Sequence, residues 1–182
     1  MIKKLILVVL GLIVAVVVVF CVVVAMQPED LKITRSSMID APPAALFEQV
    51  NDFHKWDAWS PWAKIDPTMQ VTHSGSQSGV GAVYAWAGTG EAGEGKMTIT
   101  ASRPNELIAI DLEFIQPFPA KNVTEFTFTP NGSKTVVNWT MTGKKDFVMK
   151  AFCLMVDIDK MIGADFEKGL AQMKQVVEPT LK

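Results

Sequence analysis

The chain has 182 residues, 49% of them apolar, with 17 basic and 19 acidic side chains and a formal net charge of −2. Without Lys3 and Lys4 the remainder holds 15 bases against 19 acids, a net charge of −4. That balance gives no electrostatic footprint for nucleic acid or for an anionic lipid surface. Cys21 falls in the apolar N-terminal run, so Cys153 is the only cysteine beyond that run and no disulfide is possible there.

After Met-Ile-Lys-Lys, the 22 residues from Leu5 to Met26 carry no charge. At 1.5 Å per residue such a helix covers about 33 Å, enough for a hydrocarbon core of about 30 Å. Its valines do not prevent a helix, because in lipid the backbone must hydrogen-bond within the segment. The competing reading is a cleaved secretory signal ending near Val23-Val24-Ala25, although a signal's apolar region is typically 7–15 residues. Both readings leave the N-terminus cytoplasmic beside Lys3 and Lys4 and export the rest. The organisation expected is an anchor over residues 1–26 touching the membrane through 5–26, a linker over 27–30, and one domain over 31–182. A bacterial inner membrane, with the domain facing the periplasm or the exterior, suits that arrangement.

Leu31 to Ile39 reads as a first strand, followed by Pro42 and Pro43 and by Leu46, Phe47, Val50 and Phe53 at helical spacing. This short helix leads into Trp56, Trp59 and Trp62, and Pro61 stops it. A Trp buries a large face but needs a partner for its N–H, so three together predict a core corner or a pocket mouth. Trp56 is expected inside, and Trp59 and Trp62 are placed to meet a ligand.

From Met69 to Met141 the apolar period becomes two, with strands predicted over Gly81–Trp86, Lys96–Ala101, Leu107–Phe114, Val123–Thr129 and Thr135–Met141. Asn131-Gly132 marks a hairpin. The run Gly88-Thr-Gly-Glu-Ala-Gly93 spells a dinucleotide-binding pattern, yet it lies between two strands rather than before a helix. It reads as a hairpin loop, and no cofactor is indicated. One helix is predicted from about Phe147 to Glu178, with Ile162, Phe166, Leu170, Met173 and Val177 forming its apolar stripe. The order is α+β, and a curved antiparallel sheet wrapped on the long C-terminal helix buries that stripe.

The chain resembles the START-like SRPBCC superfamily with its helix-grip fold, and within it the polyketide cyclase/dehydrase-like group. The resemblance is carried by Ile39-Asp-Ala-Pro42, Asn51-Asp-Phe53, Trp56, Trp59-Ser-Pro-Trp62, Gly79-Val-Gly-Ala82, Trp86, Thr135-Val-Val-Asn-Trp139 and Gly169-Leu170, across residues 31–178. It implies an apolar cavity between sheet and long helix that accepts lipids, sterols, polyketides or other hydrophobic molecules. The superfamily holds both enzymes and pure binders, so activity stays open.

Cavity residues expected on this basis are Trp59, Trp62, Tyr84, Trp86, Phe114, Phe128, Trp139, Met155 and Met161. Asp111 and Glu113 share a strand face opposite Ile110, Leu112 and Phe114, which puts them in solvent unless the sheet turns that face inward. With Tyr84 and His73 they are the candidates for acid–base chemistry in an enzyme of this fold. His54 and His73 have no partners at metal-ligand spacing, so no metal is expected, and Cys153 between Phe152 and Leu154 reads as a small buried hydrophobe. Asp66 is expected to brace the loop after the tryptophans. Three readings remain: a membrane-anchored binder of a hydrophobic small molecule or lipid, a cyclase- or dehydratase-like enzyme, and a ligand-free interaction domain.

Overall fold

The computed structural model describes residues 2–63, 65–89 and 92–178. It opens with α1 (Ile2–Ala25), long and apolar enough to cross a membrane, a test that a signal sequence also passes. After α1 come β1 (Asp30–Ile39), α2 (Pro43–Asn51) and a 3₁₀ helix over Phe53–Ala58. The sheet continues with β2 (Gln70–Gly75), β3 (Ala82–Ala87), β4 (Glu94–Arg103), β5 (Leu107–Gln116), β6 (Ala120–Asn131) and β7 (Lys134–Lys144). Two helices close the described chain, α3 (Phe147–Cys153) and α4 (Ile158–Val177).

The seven strands form one antiparallel sheet in the order β1-β7-β6-β5-β4-β3-β2, so a meander is closed by the first strand pairing with the last. The period-two reading holds. Val137, Trp139 and Met141 of β7 are buried together, as are Ile108 and Ile110 of β5, and Ile33 and Ile39 of β1. This inner face receives α2 and the 3₁₀ helix at one end, and α4 along β1. The stripe Phe166, Leu170, Met173 and Val177 is buried against it.

The single closing helix is corrected to two. Apolar spacing continues through Leu154, Met155 and Val156, but the backbone turns there, and Asp157 starts α4 by accepting the N–H of Lys160 at 3.0 Å. Asp146 caps α3 in the same way through the N–H of Met149 at 2.7 Å. A side-chain oxygen that satisfies an orphan helical N–H favours a new helix start over continuation. The glycine run at 88–93 is the β3–β4 connection, with Gly90 and Glu91 outside the described residues.

Arg35 fixes α4 to the sheet. From β1 its guanidinium bonds Asp159 at 2.9 Å and Glu167 at 2.8 Å, passing over Gly163, where a Cβ would occupy the space of the guanidinium. Register puts Asp30, Lys144, Gly143, Asn122, Ala120, Phe114, Gln116, Glu94 and Ala87 at one end of the sheet. The exit of α1 is at that end, where α1 packs against α3.

Candidate ligand groove beside the grip

The tryptophan corner is built on orphan carbonyls. The C-terminal turn of α2 leaves C=O groups without helical partners. Trp56 donates its indole N–H to the Val50 carbonyl at 3.0 Å, and Trp59 donates to the Gln49 carbonyl at 3.1 Å. Both rings are thereby pinned inward, at 2% and 1% exposure. Trp56 lies where its spacing put it. Trp59 packs edge-on against Trp139 and Phe126, and Trp62, half-buried, sets its edge on Trp139 and Phe166.

Those rings fill the interior between the sheet and α4 at this corner. Trp139 lies under Phe166 and beside Phe126, with its own indole N–H buried and unpartnered. Phe128 is buried beneath Phe47 of α2. Toward β3 and β5 the packing loosens: Trp86 and Phe114 are half-buried, with centroids 6.0 Å apart across β4. Gly95 sits between them in register, and any Cβ there would meet the Trp86 ring. Nearby, the Asp66 carboxylate accepts from the backbone N–H of Thr68 and of Thr89, each at 2.8 Å. It therefore ties its own loop to the β3–β4 connection, and the Thr68 hydroxyl first, then these N–H groups, hold its pKa below the usual carboxylate range.

The polar candidates fall into two pairs: Asp111 and Glu113 on the outer face of β5, and His73 with Tyr84, opposed across β2 and β3 with ring centroids 5.4 Å apart. Asp111 is exposed on the outer face, and Glu113 beside it binds Lys96 at 3.1 Å and Lys121 at 3.3 Å. Those lysines lower the Glu113 pKa and keep it ionised. Both carboxylates line an outer-face groove of about 850 Å³ shared with Lys32, Lys96, Lys121 and Lys144. His73 is exposed at the sheet edge, stacked on His54 with centroids 4.1 Å apart. Tyr84 is the buried one: its ring meets Phe53 and Trp86, and burial, with the Asp57 charge adding to it, pushes its phenol up to about 12.

A second concavity, of about 460 Å³, lies between β1 and the turn joining α3 to α4. Leu31, Ile33, Cys153, Leu154, Val156 and Ile158 supply its apolar lining. Asp30, Lys32, Lys145, Asp157 and Asp159 add charged groups around them. Drug-sized ligands occupy about 300 Å³ or more, so this groove is large enough for one. Met155 lines it, whereas Met161 is half exposed on α4 and takes no part. Asp159 is kept ionised by Arg35, which lowers its pKa, so this side of the groove carries a fixed charge pair.

Sequence reasoning did not find this groove, because its walls come from β1 and from a turn hidden inside an apparently continuous helix. Asp157, three residues before Lys160 N–H, was the available signal. Leu112, half-buried beside Phe114, was legible from its parity with Ile110 and Phe114.

Known proteins share this outline. Residues 30–178 match the family described as "Polyketide cyclase / dehydrase and lipid transport". No curated protein matches the sequence. Among solved structures, protein SA2116 of unknown function from Staphylococcus aureus aligns at 10% identity and TM-score 0.64, over 84% of this chain and 96% of that one. Protein CV1439 from Chromobacterium violaceum aligns at 15% identity and TM-score 0.58, over 84% and 99%. The Aha1 dimer from Colwellia psychrerythraea aligns at 14% identity and TM-score 0.58, over 81% and 96%. At these identities the likenesses establish the helix-grip fold alone. The family match extends over most of the chain, from β1 to the end of α4, and on that ground the chain belongs to the polyketide cyclase/dehydrase and lipid transport family.

Proposed function

We propose that the chain is a membrane-anchored domain that binds a hydrophobic small molecule or lipid in the groove between β1 and the α3–α4 turn. The observation that carries this reading is the groove itself, about 460 Å³ with an apolar lining from Leu31, Ile33, Val156 and Ile158, between the sheet and the start of its C-terminal helix. The outer-face groove is larger, but it lies on the face of the sheet turned away from α4 and is flanked by Lys32, Lys96, Asp111, Glu113, Lys121 and Lys144, so the groove against the C-terminal helix is the one preferred here. α1 holds the groove close to the bilayer, since few residues separate Ala25 from Asp30. Lys3 and Lys4 keep the N-terminus cytoplasmic and the domain across the membrane. Trp86, Phe114 and Leu112 are half-buried apolar side chains toward the other side of the sheet.

The test is extraction and mass spectrometry of what co-purifies with the full chain in detergent, beside Leu31→Asp and Val156→Asp variants. A hydrophobic molecule should be retained by the parent chain and lost from both variants. Equal recovery from all three, reflecting detergent-like coating of α1, contradicts the reading.

A further inference from the structure

α3 is built inside out for a helix in water. Val148 is 64% exposed, Phe147 49% and Phe152 42%, and Met155 in the following turn is 78% exposed, while Lys150 is 7% exposed. Val148 and Phe152 step by four on α3, which places them on one face, and Met155 follows in the turn, its N–H donating to the Phe152 carbonyl at 3.0 Å. Lys150 points the other way, into the fold, where it reaches Glu29 at 3.3 Å. A water-facing helix turns its apolar stripe to the core and its lysine to solvent.

The position of this face supplies its partner. The last turn of α1 packs against α3 and leaves Val24 fully buried. α3 therefore lies at the level where the apolar helix leaves the hydrocarbon. Phe118, 70% exposed in the β5–β6 turn, is at the same end of the sheet. An amphipathic segment at that level settles with its apolar face about 5–10 Å into the headgroup boundary.

We propose that α3 and the turn after it dock into the bilayer surface through Val148, Phe152 and Met155, so that the groove they border opens onto lipid. This inference rests on reading α1 as a membrane span. Met155 belongs both to the docked face and to the groove lining, and Leu154 beside it lines the groove, so a hydrophobic molecule passes between bilayer and groove without crossing water. The full chain carrying Cys21→Ala and Cys153→Ala is labelled with an environment-sensitive fluorophore at Val148→Cys, at Met155→Cys, or at Asn131→Cys, the last residue of β6 at the opposite end of the sheet. Phe147→Cys replaces either α3 position if near-ultraviolet circular dichroism shows loss of fold. In phosphatidylcholine vesicles containing doxyl-lipid, the α3 labels should shift to the blue and be quenched, and the Asn131 label should do neither.

Water-like, unquenched emission at the α3 positions overturns the proposal. Flotation of the chain after alkaline carbonate separates the two ideas: floating with unquenched labels leaves the anchor standing and removes the docking. A chain that fails to float overturns both. Blue-shifted labels without quenching, together with disulfide cross-linking of Val148→Cys between copies, mean a second copy covers this face and also overturn the proposal.

Discussion

Phe166 lies face to face with Trp139, ring centroids 4.2 Å apart and planes within 5° of parallel. One ring belongs to α4 and the other to β7, so this contact joins the long helix to the sheet at the point where Trp59 and Trp62 also converge. Phe166→Ala should cost about 3–5 kcal/mol, since it removes a buried ring from a site whose neighbours are pinned and cannot collapse inward. Urea unfolding of the chain in micelles, followed by tryptophan fluorescence, measures it. A cost under about 1 kcal/mol, as expected of a surface position, contradicts the packing described.

Gly169 tests the same corner from the opposite direction. A Cβ there would lie 2.8 Å from Trp139 and 3.0 Å from Pro61, both rigid groups. Gly169→Ala should destabilise by about 1–3 kcal/mol through overpacking, outweighing the roughly 1 kcal/mol by which alanine favours a helix. Gly163→Ala should be milder, because its Cβ meets the end of the Arg35 side chain, which can withdraw at the expense of partly exposed ion pairs. Thermal unfolding of the two variants side by side gives the ranking.

Tyr84 is the chain's one tyrosine, so tyrosinate absorbance reads a single phenol. Its pKa is raised from 10.0 to about 12 by burial and the Asp57 charge. The neutral phenol is thus favoured in the fold, and its contribution is complete below pH 10 and is lost as pH rises toward 12. An absorbance titration should show a midpoint near 12, or a cooperative step coincident with unfolding. A simple ionisation near 10 contradicts the burial.

Asp66 gives the acid limb. Its folded pKa is lowered by the Thr68 and Thr89 donors, so its contribution is present above the unfolded carboxylate value of about 3.9 and is lost as pH falls through the folded value. Asp66→Asn should lower the melting temperature at neutral pH, and that loss should shrink at acid pH as the parent carboxyl becomes protonated below its lowered folded value. An equal loss at both pH values assigns the residue a role independent of its charge.

The strands were legible because alternation is local: Val137, Trp139 and Met141 declare their shared face without reference to anything distant. Trp56 was legible from its helical spacing to Phe53. The burial of Trp59 was not, since it depends on a carbonyl of Gln49, ten residues back, that α2 leaves unpaired. The break at Leu154–Val156 was hidden by continuing apolar residues, and only the Asp157 cap marks it. The burial of Lys150, which reaches Glu29 after α1, and the exposure of Met155 in the turn are tertiary outcomes that no local period encodes.

Cys153 stands in the groove wall and reports on its occupancy directly. In the full chain with Cys21→Ala, the rate of maleimide reaction at Cys153 is measured against rising concentrations of fatty acids and sterols. The expected result is a saturable slowing by at least one of them, lost in Val156→Asp, while a rate unmoved by every member of the panel contradicts a hydrophobic ligand in this groove.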